Sequence, residues 1–289
     1  MEHVAWSRRP ELATPTVIAA FTGWNDAGDA ASLAVRHLID QWSARAFASI
    51  DPEEFFDFQT TRPEVRLADG VTREILWPGN DLFSASTPGG DVVLLLGTEP
   101  QLKWRTFTRQ VTDVAREIGA GLVVTLGALL ADVIHHRPVH LIGTASDSDV
   151  IERFSLQRSR YEGPTGIVGV LHDACVRSDL ASVSLWAAVP AYASQVTSPK
   201  AAATLAEGAC DLIGATFVSG LLGQAVVDYE RHVERMVAAD PDLVEYVRRL
   251  EAMSDEDDDE DDDDSSTAGE LSAEGLMDDI ERFLRDQGG

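Results

Sequence analysis

The chain has 289 residues and a formal net charge of −26, with 23 lysines and arginines against 49 aspartates and glutamates. That balance argues against a nucleic-acid partner, which needs a basic face, and no run of about 18 uncharged apolar residues marks a membrane span. Apolar residues make up 44% of the sequence, enough for a sizeable core.

The opening MEHVAWSRRPELATP is charged and lacks an apolar stretch, so no signal peptide is expected and the expected compartment is the cytoplasm. TVIAAF (16–21) reads as the first strand, followed by the loop GWNDAGD (23–29) and a helix over AASLAVRHLIDQW. In that loop Asp26 or Asp29 suits capping of the helix, and Gly23 and Gly28 supply unusual backbone angles. Two carboxylates there would repel a phosphate, so helix capping is preferred to anion binding. EEFFDFQTTRPEVRLADGVTREILWPG (53–79) alternates around the turn signal ADG and is expected as an antiparallel hairpin on the sheet edge.

DVVLLLGT (91–98), GLVVTLGA (121–128), VHLIGTA (139–145), GIVGVL (166–171) and SVSLWAAV (182–189) read as further strands. They are near-continuous apolar runs, as expected of strands buried on both faces. QLKWRTFTRQVTDVAREIGA has helical periodicity and should stop near Gly119 and Gly121. The alternation predicts an α/β fold, a three-layer sandwich with a largely parallel sheet, spanning residues 1–198.

Residues 199–253 read as a small subdomain of three helices, with Asp240 and Pro241 starting the last. Between Glu251 and Gly289 there are 17 acids and two arginines. The run DEDDDEDDDD repels itself and buries nothing, so 254–270 is expected as an acidic disordered linker. Residues 271–289 are expected as an amphipathic helix bearing Leu276, Ile280, Phe283 and Leu284 on one face.

In an open α/β sheet, ligands sit at the carboxyl ends of strands. The candidate pocket residues are therefore Gly23, Trp24, Asn25 and Asp26 in the first loop, and Glu99 and Trp104 in GTEPQLKW. Gly127 and Asp132 in LGALLADV, Gly163 and Gly166 in EGPTGI, and Tyr192 in VPAYASQ complete the set. These loops are expected to meet in space. No complete catalytic constellation is visible: G-x-S-x-G, H-E-x-x-H, C-x-x-C and the P-loop pattern are absent. Glu99 is the best-placed acid but stands alone, and Asp147 and Asp149 suit helix capping. Cys175 follows His172 in LHDAC, a pattern that fits a small buried thiol better than an activated one; Cys210 is likewise expected free. Adjacent histidines on a helix or strand point to different sides, so His135 and His136 make a poor metal pair, and no metal or cofactor is expected.

The strings FTGWNDAGDAAS, GTEPQLKWRTF, TLGALLADVIHHRPV, GTASD, YEGPTGIVGVLHDAC, SLWAAVPAY, SPKAAATL, DPDLVEYVRRLE and IERFLR occur in this order. They resemble the proteasome assembly chaperone 2 family in its actinobacterial form, over essentially the whole chain. The resemblance implies a phosphorylase/hydrolase-like α/β fold with a helical C-terminal part. It also implies protein association rather than chemistry, and a homo-oligomer, with a trimer favoured. Eukaryotic members of the family carry a C-terminal hydrophobic-Tyr-X tail for ring docking, whereas this chain ends RDQGG; where the family often has histidine in the VPxY segment, Ala191 precedes Tyr192. Two functions are therefore expected: a non-catalytic assembly-chaperone-like protein with a loop-lined pocket, or a small-molecule hydrolase or phosphorylase using the same loops. A further protein partner is expected at the C-terminal helix.

Overall fold

The structure is a computed structural model that describes residues 2–145, 147–154, 156 and 162–260, with backbone alone over 254–260. Its strands are β1 (Val4–Trp6), β2 (Thr16–Thr22), β3 (Arg45–Ile50), β4 (Glu64–Ala68), β5 (Thr72–Leu76), β6 (Asn80–Thr87), β7 (Gly90–Thr98), β8 (Leu122–Ala131), β9 (Leu141–Ala145) and β10 (Ser182–Pro190). Eight of them form one sheet in the order β1-β3-β6-β7-β2-β8-β10-β9. The central strands β7, β2, β8 and β10 are parallel, whereas β1, β3 and β6 on one side and β9 on the other pair antiparallel. The sheet is thus mixed rather than largely parallel.

The helices are α1 (Ala30–Gln41), α2 (Trp104–Glu117), α3 (Ser148–Phe154), α4 (Ile167–Val176), α5 (Pro199–Ile213), α6 (Gly220–Ala238) and α7 (Pro241–Glu260). Strand β2 shows why three layers form. Ile18 and Ala20 pack with α1 and α5 on one face, while Val17, Ala19 and Phe21 pack with α2 and α4 on the other. Both faces are apolar, so water is excluded from both only if helices cover each. A further cluster joins Tyr229, Val233 and Val237 of α6 to Val247 and Leu250 of α7 beside Ile134 and Ala193.

Three local expectations are corrected. GIVGVL is not a strand: Ile167–Val176 is helical. Its apolar run is buried against α2, and a short apolar run fits a buried helix as well as a buried strand. The hairpin forms as β4 and β5, with Asp69 and Gly70 both in the left-handed region, but it makes a separate two-stranded sheet. Both of its faces are exposed, and the main sheet ends at β1 instead. Helix α7 runs past Met253 to Glu260, into the acidic run. The expected helix over 271–289 and the remainder of the linker lie outside the described residues.

Candidate functional site

Adjacent strands β2 and β7 send their following helices to opposite faces of the sheet, the arrangement at whose carboxyl ends open α/β sheets bind ligands. Asn25, Asp26, Glu99 and Gly166 meet there. Asp26 accepts the N–H groups of Ala31 at 2.7 Å and Ser32 at 3.1 Å through Oδ1, and so caps α1. Asp29 has positive φ and accepts from the Thr197 hydroxyl instead. The Asn25 carbonyl accepts the Ala128 N–H at 2.8 Å, and this ties the loop to β8.

Glu99 connects two loops. Its Oε2 accepts the Trp24 N–H at 3.2 Å, and its Oε1 accepts the Ile167 N–H at 2.9 Å, at the first turn of α4. Gly166, just before that helix, lies so close to the Asn25 amide oxygen that a Cβ would collide with it; Glu99 Oε1 would be 2.9 Å away. Gly23, at φ 135°, faces Glu99 in the same way. Burial holds the Asp26 carboxyl above the usual aspartate range, against the pull of its bonds to Ser32 and Ala31. Asn25 Oδ1 and Asp26 Oδ2 are buried without a hydrogen-bond partner among the described residues. Trp24 remains 38% exposed at the rim.

The other candidates separate from this group. Gly127 lies in β8, where the Trp186 ring fills the space a Cβ would need. Trp104 starts α2 and donates its indole N–H to the Pro100 carbonyl. Gly163 is exposed. Asp132 and Tyr192 belong to a second cluster beyond the ends of β8 and β10. The Asp132 carboxylate accepts the Tyr246 hydroxyl at 2.6 Å, and the Tyr192 and Tyr246 rings meet edge to face.

The second cluster centres on buried His135. Its backbone N–H donates to the Tyr192 hydroxyl at 2.8 Å, its Nδ1 lies 2.8 Å from the same oxygen, and its Nε2 lies 3.1 Å from Glu234 Oε2. Lys200 donates to the His135 carbonyl at 2.9 Å and pairs with Glu230 at 2.6 Å. Burial pushes the His135 imidazole below its ordinary value, and pushes the Tyr192 phenol up to about 12. The histidine pair does not diverge as expected, because it sits in a turn and its rings are 5.1 Å apart. Sequence reading missed Glu234, Tyr246 and Lys200, which come from distant helices and carry no local signal. Cys175 and Cys210 are buried and free, and burial pushes both thiols up to about 12, which opposes nucleophilic use.

A family model, that of the PAC2 family, matches residues 20–237. The chain belongs to the PAC2 family. A PAC2 family protein from Streptomyces avermitilis MA is 43% identical, with 81% of this chain and 99% of that one covered and a TM-score of 0.74. A Mycobacterium tuberculosis proteasome-assembly chaperone homologue is 44% identical, with 80% and 99% covered and a TM-score of 0.72. PbaB of Pyrococcus furiosus, an archaeal proteasome activator, shares the fold at 17% identity and TM-score 0.67, over 82% and 99% of the two chains. A comparison with curated proteins finds no match. PAC2 membership bears out the resemblance carried by strings such as FTGWNDAGDAAS and YEGPTGIVGVLHDAC. The first string carries the Asp26 cap of α1, and the second supplies Ile167, whose N–H bonds Glu99. Among the described residues no helix of this PAC2 chain is long and apolar enough to cross a membrane.

Proposed function

We propose that this chain is a non-catalytic, assembly-chaperone-like protein that associates with other protein subunits, proteasome subunits foremost, and that it works as a cytoplasmic homo-oligomer, a trimer in the favoured form. The observation that carries this is the 44% identity to a proteasome-assembly chaperone homologue over 99% of that protein. The bonding of the acids at the strand ends supports it. Glu99 directs both carboxylate oxygens at backbone amides, and Asp26 spends one on two amides, so these acids hold loops in place. The test is sedimentation velocity of the full chain, alone and mixed with separately expressed proteasome α and β subunits. A species heavier than the 31.3 kDa monomer, and a further shift with subunits, is expected. A monomer that sediments independently of every subunit would contradict the proposal.

A small-molecule hydrolase or phosphorylase is the second reading. It is favoured by the buried, unpartnered Asn25 Oδ1 and Asp26 Oδ2, two acceptors whose hydrogen-bonding capacity the described residues leave unused. If it holds, a metabolite co-purifies with the native protein and is lost in Asn25→Leu. A protein that carries no metabolite in either form would remove it.

A further inference from the structure

We infer that His135, His136 and Glu234 form a binding site for one divalent transition-metal ion of the Zn²⁺ or Co²⁺ type. One nitrogen from each imidazole and one carboxylate oxygen all lie within 4.8 Å of one another. Neighbouring histidines converge here because the chain reverses: the Arg137 N–H bonds the Ile134 carbonyl at 3.2 Å, and the rings meet edge to face. On a tetrahedral ion with bonds of about 2.0–2.2 Å, donor atoms sit about 3.3 Å apart. His136 and Glu234 are exposed side chains, so modest rotations close the gap onto the fixed, buried His135.

The donor set selects the class of ion. Two imidazole nitrogens with a carboxylate suit Zn²⁺, Co²⁺ and their neighbours, whereas Ca²⁺ and Mg²⁺ take oxygen donors and a soft ion would want thiolates. The surroundings are those of a metal-binding histidine. The Tyr192 hydroxyl holds the His135 ring through Nδ1 at 2.8 Å, leaving Nε2 turned toward Glu234 at 3.1 Å. A second carboxylate, Glu251 on α7, lies 3.5 Å from His136 Nε2, placed to donate directly or through water. The ion would fasten the turn after β8 to α6. The site rests on this geometry alone and is independent of the assembly role.

The test uses the full chain after dialysis against a chelator, titrated with Co²⁺ and followed by visible absorption. One tightly bound equivalent with the intense bands of tetrahedral Co²⁺ is expected; oxygen-only binding along the acidic run gives weak octahedral bands instead. His136→Ala and Glu234→Gln, both at exposed positions, should each keep the wild-type far-UV spectrum, lose the bands and raise the Kd by at least about tenfold. His232→Ala, on a different side of α6 from Glu234, should leave the titration unchanged. No intense bands in the wild type, or bands that survive either of the two ligand substitutions, would overturn the site.

Discussion

Glu99 joins the loop after β2 to the start of α4 with one carboxylate, so its removal should be felt at both ends. Glu99→Ala strips an acceptor from the first turn of α4 and another from Trp24, and should cost about 1–2 kcal/mol in denaturant unfolding. Glu99→Gln retains one acceptor oxygen and should fall between. A Glu99→Ala midpoint equal to wild type would show that these bonds are idle. Gly166→Ala should also destabilise, by about 1–3 kcal/mol, because the new methyl group displaces the Asn25 amide. Asp26 gives a pH signature. Its folded-state value lies above the ordinary value of 3.8, so the folded protein holds the proton longer than the unfolded chain. Stability from this group is therefore full below 3.8 and is lost as pH rises through the folded-state value. Asp26→Asn lacks this loss, so its melting temperature should gain on wild type as pH rises across that window. A difference that is flat with pH would refute the burial of a charge at this position.

At the scale of elements, some of the fold was legible and some was not. TVIAAF and DVVLLLGT announced themselves because both faces of β2 and β7 are buried, which leaves continuous apolar runs between turns. The cap of α1 was legible because only a short side chain with an oxygen can satisfy the first free amides, and Asp26 does so. GIVGVL misled because its first turns are apolar throughout: α4 packs on the sheet beside α2 and buries Ile167, Val168 and Leu171, as a buried strand would. The approach of the Asn25–Asp26 loop to Glu99 could be expected from strand ends alone. The histidine cluster could not, since Glu234 and Tyr246 approach it from helices whose positions depend on tertiary packing. The hairpin's turn and its pairing were visible around ADG, but its separation from the main sheet was not. With Val65 at 62% and Ile75 at 57% exposed, it gives little to the core. Replacing 64–76 by a short glycine-serine link should lower the melting temperature by less than about 2 °C. Loss of cooperative unfolding would show that the hairpin is integral to the body.

Over the whole molecule, a mixed sheet covered by helices on both faces carries loops at its strand ends whose acids serve the backbone. Beside them lies a polar cluster around His135, where α6 and α7 meet the ends of β8 and β10. Such a body would suit the assembly role proposed above, and a formal net charge of −26 disfavours unspecific association. Membership of the PAC2 family and the close relation to an assembly-chaperone homologue point the same way. The most direct measurement is the time course of ring assembly from separately purified α and β subunits, followed by mass photometry with and without stoichiometric full chain. Faster or more complete ring formation, with a transient complex containing the chain, is expected. Identical time courses with no such complex would contradict the assembly role.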